Sequence, residues 1–83
     1  MELDTKTAAA LARVKAAAAA DQDDNVELDA RDVLALLAVP AAGATEIGKG
    51  LAEPARAAGR SKTREIVLHR TAHLEPLLAA FEG

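Results

Sequence analysis

Residues 26–40 read Val26-Glu27-Leu28-Asp29-Ala30-Arg31-Asp32-Val33-Leu34-Ala35-Leu36-Leu37-Ala38-Val39-Pro40. The stretch switches from a period of two to a period near 3.6, and that switch decides the fold class. Val26-Glu27-Leu28 alternates and predicts a short strand. Asp29 then offers a side-chain oxygen to the free amides of a first helical turn. Ala30, Val33, Leu34, Leu36 and Leu37 make one apolar face of a helix over 29–38, while Arg31 and Asp32 face water. Pro40 ends it, because proline disfavours helix in the residue before it and lacks an amide.

Working toward the N-terminus, Asp23-Asp24-Asn25 belongs to an acidic run that begins at Asp21. Acidic groups oppose the dipole at a helix C-terminus, so this run predicts a loop. Before it, Thr5 to Ala20 consists almost wholly of strong helix formers, capped by Asp4 or Thr5. Leu11, Val14 and Ala18 recur at helical spacing and define one narrow apolar face, beside five consecutive alanines.

Working toward the C-terminus, Ala41-Ala42-Gly43-Ala44 predicts a turn and Thr45 the cap of a weaker helix over 45–58. Gly48 and Gly50 each cost that helix roughly 1 kcal/mol relative to alanine. Pro54 is expected to break or restart it, leaving 54–58 as a separate turn. Residues 59–64 form a basic loop. Thr63 to Arg70, centred on Ile66-Val67-Leu68, is the best strand of the chain. Leu74, Leu77, Leu78 and Phe81 then predict a terminal helix over 74–82, with Pro76 in its first turn.

Composition limits the rest. The chain has 83 residues, enough for a single domain over 1–83. Residues 1–25 form an N-terminal helix and acidic loop, and 26–83 the main unit. The apolar fraction is 51%, but 22 of those residues are alanine, so only 20 larger apolar side chains can fill a core. A core so thin predicts help from a second copy or a protein partner. There is no cysteine, which excludes a disulfide scaffold, a thiol nucleophile and a cysteine zinc site. No apolar run is long enough to span a membrane. Met1 leads into Glu2 and Asp4, unlike the basic start of a signal peptide. The expectation is therefore a cytoplasmic, soluble protein without a membrane partner.

Motifs that suggest small-ligand chemistry are incomplete. Gly43 to Gly50 resembles a phosphate loop, but glycine stands where Ser or Thr would hold magnesium. Asp21, Asp23, Asn25, Glu27, Asp29 and Asp32 sit at calcium-loop positions, yet Val26 occupies the place where glycine supplies the sharp turn. His69 and His73 are four apart with only Glu75 nearby, which is too few ligands for zinc. Ser61 is the only serine, and it has no evident base. The expectation is a protein without cofactor, metal or catalytic residues.

Charge carries the functional signal. The net charge is −3, but the acidic excess lies in residues 1–48. Lys49, Arg56, Arg60, Lys62, Arg64 and Arg70 crowd the remainder, opposed between 49 and 73 by Glu53 and Glu65 alone. Such an excess suits a phosphate backbone.

From Leu28 onward the wording resembles the small excisionase or MerR-like DNA-binding family. Leu28 to Pro40 is similar to its first helix and turn. Val67-Leu68-His69-Arg70-Thr71-Ala72-His73-Leu74-Glu75-Pro76-Leu77-Leu78 is similar to its closing phrase. The resemblance implies a winged helix-turn-helix: mainly α, with three to four helices and one or two short strands. It implies a non-enzymatic, phage-like regulator or architectural factor on duplex DNA. Helix 45–58 would enter the major groove, and loop 59–64 would lie along phosphates. The sequence departs from the family in its third helix, where Lys49 and Arg56 are the only strong candidates for base readout. The alternative is an assembly protein without nucleic acid, docking through helices 5–20 and 74–82. In either version Leu11, Val14 and Ala18 are the expected dimer or partner interface.

Overall fold

A computed structural model describes residues 2–20 and 23–82. Along the chain run α1 (Thr5–Ala20), β1 (Asn25–Asp29), α2 (Ala30–Leu37), α3 (Pro40–Gly43), α4 (Glu46–Gly59) and β2 (Glu65–His69). A π-helical turn, Arg70–Leu74, then leads into α5 (Glu75–Ala79). The described residues are mainly helical, with one two-stranded antiparallel sheet.

The strand pair closes around the helices α2 to α4. Asn25 stands opposite His69, Glu27 opposite Val67 and Asp29 opposite Glu65. Val26, Leu28, Ile66 and Leu68 all point inward and are buried, as the period of two requires. Helix α1 supplies Ala10 and Val14 to the same core, α2 supplies Ala30, Val33 and Leu36, and α4 supplies Leu51 and Ala55. Leu74 and Leu77 complete it from the C-terminal side. One core thus joins the N-terminal helix to the rest.

The caps follow the sequence. Thr7 N–H donates to Asp4 Oδ1 at 2.7 Å, and Arg31 N–H to Asp29 Oδ1 at 2.8 Å. Gly48 N–H donates to Thr45 Oγ1 at 2.9 Å. These side chains satisfy amides that the first helical turn leaves unpaired.

Several expectations are corrected. Residues 41–44 do not form a plain turn, because Pro40 opens the short helix α3 at a position where its missing amide costs nothing. Pro54 does not break α4, which runs unbroken from Glu46 to Gly59. Gly48, Leu51 and Ala55 bury one continuous stripe that passes the proline on its hidden side. Pro54 itself is exposed, so core packing holds the helix together across it. Asp32 does not face water alone, since its carboxylate, 15% exposed, is gripped by Arg13 of α1.

The helix-turn-helix comparison also meets a difference. Eight residues, 38–45, separate α2 from α4, whereas a helix-turn-helix uses about three or four. The two strands are joined through helices, and no hairpin follows α4 among the described residues. No helix among those residues is long and apolar enough to cross a membrane.

Candidate nucleic-acid interface

Helix α4 presents Lys49, Glu53, Arg56 and Arg60 at spacings of four, three and four. That spacing puts them on one side of the helix. The stripe is about 16 Å long at 1.5 Å per residue. Lys49 and Arg56 rim a shallow groove between α2 and α4, floored by Leu34, Leu37 and Ala52. Arg56 is paired with Glu53, Nη1 to Oε1 at 3.5 Å. Lys49 is exposed and forms no ion pair with a described residue.

Beyond α4 the chain makes a tight turn. Ser61 Oγ donates to the Ala58 carbonyl at 2.7 Å and accepts from Arg64 N–H at 3.1 Å. Arg64 adopts a φ of 56°, the one positive φ of a non-glycine residue among the described residues. Arg60, Lys62 and Arg64 are all exposed here. Arg60 and Lys62 form no ion pair with described residues. Arg64 lies near enough to Asp29 to help hold its carboxyl below the usual range, though hydrogen bonds from the Arg31 side chain and amide do more.

Arg70 departs from the expected set. It stands at the far end of β2, about 20 Å from Arg64 at 3.3 Å per residue. Its guanidinium donates to the Ala18 carbonyl at the end of α1 and to the Asp23 carbonyl. Its amide donates to the Asp24 carbonyl at 2.6 Å. These bonds tie the end of α1 to the sheet, so Arg70 positions structure instead of extending the basic surface. Lys49, Arg56, Arg60, Lys62 and Arg64 remain together, along α4 and around its C-terminal turn.

The expected partner stripe on α1 is likewise corrected. Val14 is 1% exposed within its own protein, and Leu11 and Ala18 are partly buried against the same core. With few large side chains elsewhere, the core takes this face for itself. The C-terminal helix behaves alike: Leu74 and Leu77 are buried, and Leu78 and Phe81 are partly covered.

Residues of the calcium-like and histidine patterns have other roles. Asp21 lies outside the described residues. Asn25, Glu27 and Asp29 are spread along β1 instead of converging on a point. Asp29 caps α2, and Asp32 binds Arg13 through contacts of 2.7 and 3.0 Å. His69 Nδ1 accepts the Ala72 amide at 3.1 Å and so caps the π-helical turn. The His73 ring stands edge-on to it, with centroids 6.4 Å apart.

Sequence reasoning missed the Arg13–Asp32 pair, the cap by His69 and the left-handed Arg64. The first spans nineteen residues and leaves no local signal. The last had none either, because arginine is not a residue that favours that conformation. No family model, curated protein or solved structure matches this chain.

Proposed function

We propose that this protein is a small, non-enzymatic DNA-binding factor that engages duplex phosphates through α4 and the turn after it. The observation that carries the reading is the set of cations without ion-pair partners among the described residues. Lys49, Arg60 and Lys62 are exposed along α4 and just past it, with Arg64 beside them. Arg56 on the same helix is paired with Glu53, and Arg13 and Arg31 elsewhere are paired with Asp32 and Asp29. The other exposed cations without an ion pair among the described residues, Lys6 and Lys15, lie nine residues apart on α1. Unpaired exposed cations on one side of a small protein give the field a polyanion follows.

The reading is one of phosphate contact more than base readout. The outward side of α4 offers Lys49 and Arg56 for base edges, together with Glu46, Glu53 and Gly50, which do not suit a groove. Phosphate contacts orient a protein without reading sequence. The winged helix-turn-helix remains part of this proposal as the mode in which α4 would lie in the major groove. The 60–64 turn would then touch the flanking backbone.

The test compares two charge-removing variants on a random duplex at low salt. Arg60→Ala/Lys62→Ala/Arg64→Ala is expected to lose at least tenfold in affinity on all sequences alike. A control that removes Lys6 and Lys15 of α1 is expected to change little. Equal losses per charge removed in the two would reduce the interaction to net charge and remove the assigned surface.

A further inference from the structure

Among the described residues the sheet has two strands, so each has one edge that pairs with no further strand. Two bonds at its ends, Ala30 N–H to the Arg64 carbonyl and Arg70 N–H to the Asp24 carbonyl, fix its phase. With Val26 opposite Leu68 and Leu28 opposite Ile66, the even-numbered residues bond across the pair. The N–H and C=O of odd-numbered residues therefore point outward. On β1 these belong to Asn25, Glu27 and Asp29, and on β2 to Glu65, Val67 and His69. The N–H and C=O of Glu65 and Val67 and the N–H of His69 meet no further main-chain partner among the described residues, while the His69 carbonyl opens the π-helical turn.

We infer that the β2 edge is a self-association surface, where β2 of a second copy pairs antiparallel about a twofold axis at Val67. In that register Val67 faces Val67 of the copy, and each Glu65 faces a His69. The Val67 pair exchanges two bonds and each His69 N–H donates to the Glu65 carbonyl of the copy, giving about four main-chain hydrogen bonds.

The side chains favour this occupant. Val67 is 55% exposed, the one exposed large apolar side chain among the described residues. It stands at the centre of the edge, where the twofold axis would cover it from both sides. His69 Nδ1 accepts the Ala72 amide, so the proton of the neutral ring sits on Nε2, able to donate to a carboxylate. Glu65 supplies that carboxylate from the copy. The β1 edge opposes the same arrangement, since its central residue is Glu27 and a twofold axis there would set two carboxylates face to face. Like charges directly opposite destabilise strand pairs, and charged residues commonly guard free edges. The flanking Arg64 and Arg70 would also meet across the axis, but the Arg70 guanidinium is turned toward α1. Two five-residue strands bury less than the area typical of stable complexes, so the association is weak, with a dissociation constant between about 10 µM and 1 mM. This inference stands independently of nucleic-acid binding.

Sedimentation equilibrium of the full chain without nucleic acid, from about 10 µM to about 1 mM, tests it across that range. The expected result is a monomer–dimer equilibrium. Val67→Lys and Glu65→Lys should each weaken it at least tenfold with unchanged circular dichroism, and Glu27→Lys should leave it intact. Both β2 positions are exposed, so their substitution leaves the core untouched. A constant monomer mass overturns the proposal. So does a dimer insensitive to both β2 variants, a dimer lost in Glu27→Lys, or growth beyond the dimer through both edges. Pairing of this edge with an unrelated strand peptide, without self-association, also overturns it.

Discussion

The Ala30 amide donates to the Arg64 carbonyl at 2.8 Å, while Arg64 holds a φ of 56°. The start of α2 and the end of the basic turn are thus one construction. The bond closes the strand pair and pins the left-handed residue from one side, as Ser61 Oγ does from the other. A left-handed conformation costs an arginine roughly 1–2 kcal/mol, a strain that glycine avoids.

Arg64→Gly should therefore raise stability by about 0.5–1 kcal/mol, since glycine's larger unfolded-state entropy offsets part of the relief. The same variant should weaken duplex binding. Urea denaturation beside a duplex titration checks both. A variant that loses stability would mean that the Arg64 side chain, beside Asp29, contributes more than its backbone costs.

The glycines of α4 should respond in opposite directions. A Cβ on Gly50 meets nothing within 4 Å, whereas one on Gly48 would meet the Ala42 carbonyl oxygen at 2.1 Å. Gly50→Ala should stabilise the protein by up to about 1 kcal/mol. Gly48→Ala should destabilise it despite the same gain in propensity, because α3 must move away. Thermal melts of the two variants decide it.

Much of the architecture was legible because local chemistry and burial agree. Asp29, Pro40 and Thr45 mark element ends through their own side chains, and Val26, Leu28, Ile66 and Leu68 alternate as a half-buried sheet requires. Pro54 was misread because its penalty is local, while the stripe of Gly48, Leu51 and Ala55 that overrides it is tertiary. The basic surface was legible as charge, but not the removal of Arg70 from it. The carbonyls that Arg70 binds, at Ala18 and Asp23, lie about fifty residues away along the chain. The α1 stripe was rightly seen as apolar, yet sequence could not say that its cover comes from α2 and β1 of the same chain.

Asp29 should make stability depend on acid. Hydrogen bonds from the Arg31 side chain and amide hold its carboxyl below the ordinary range, and Thr7 does the same for Asp4. A carboxylate with a lowered folded-state pKa contributes stability that is complete above the unfolded value of about 3.9. That contribution is lost as pH falls through the folded value. Asp29→Ala should cost about 1 kcal/mol at neutral pH through the lost cap, and the gap to the unaltered protein should narrow below about pH 4. Urea melts at pH 7 and pH 3 measure both, and a constant gap would contradict the ionic part.

Val14→Glu should unfold the monomer, not merely split an assembly. At 1% exposure the carboxylate would sit in the core without a partner. Circular dichroism at low concentration is expected to show lost helicity or a sharply lowered melting temperature. A folded variant with an unaltered melt would mean that α1 does not pack as described.

The central claim is that Lys49, Arg60, Lys62 and Arg64 meet duplex phosphates. The most direct measurement is fluorescence anisotropy of the unaltered protein on a random duplex across a salt series. Four phosphate contacts predict that log affinity falls against log salt with a slope of about −3 to −4. The Arg60→Ala/Lys62→Ala/Arg64→Ala variant should flatten it to about −1. No detectable binding at low salt, or a slope that the triple variant leaves unchanged, would contradict the account.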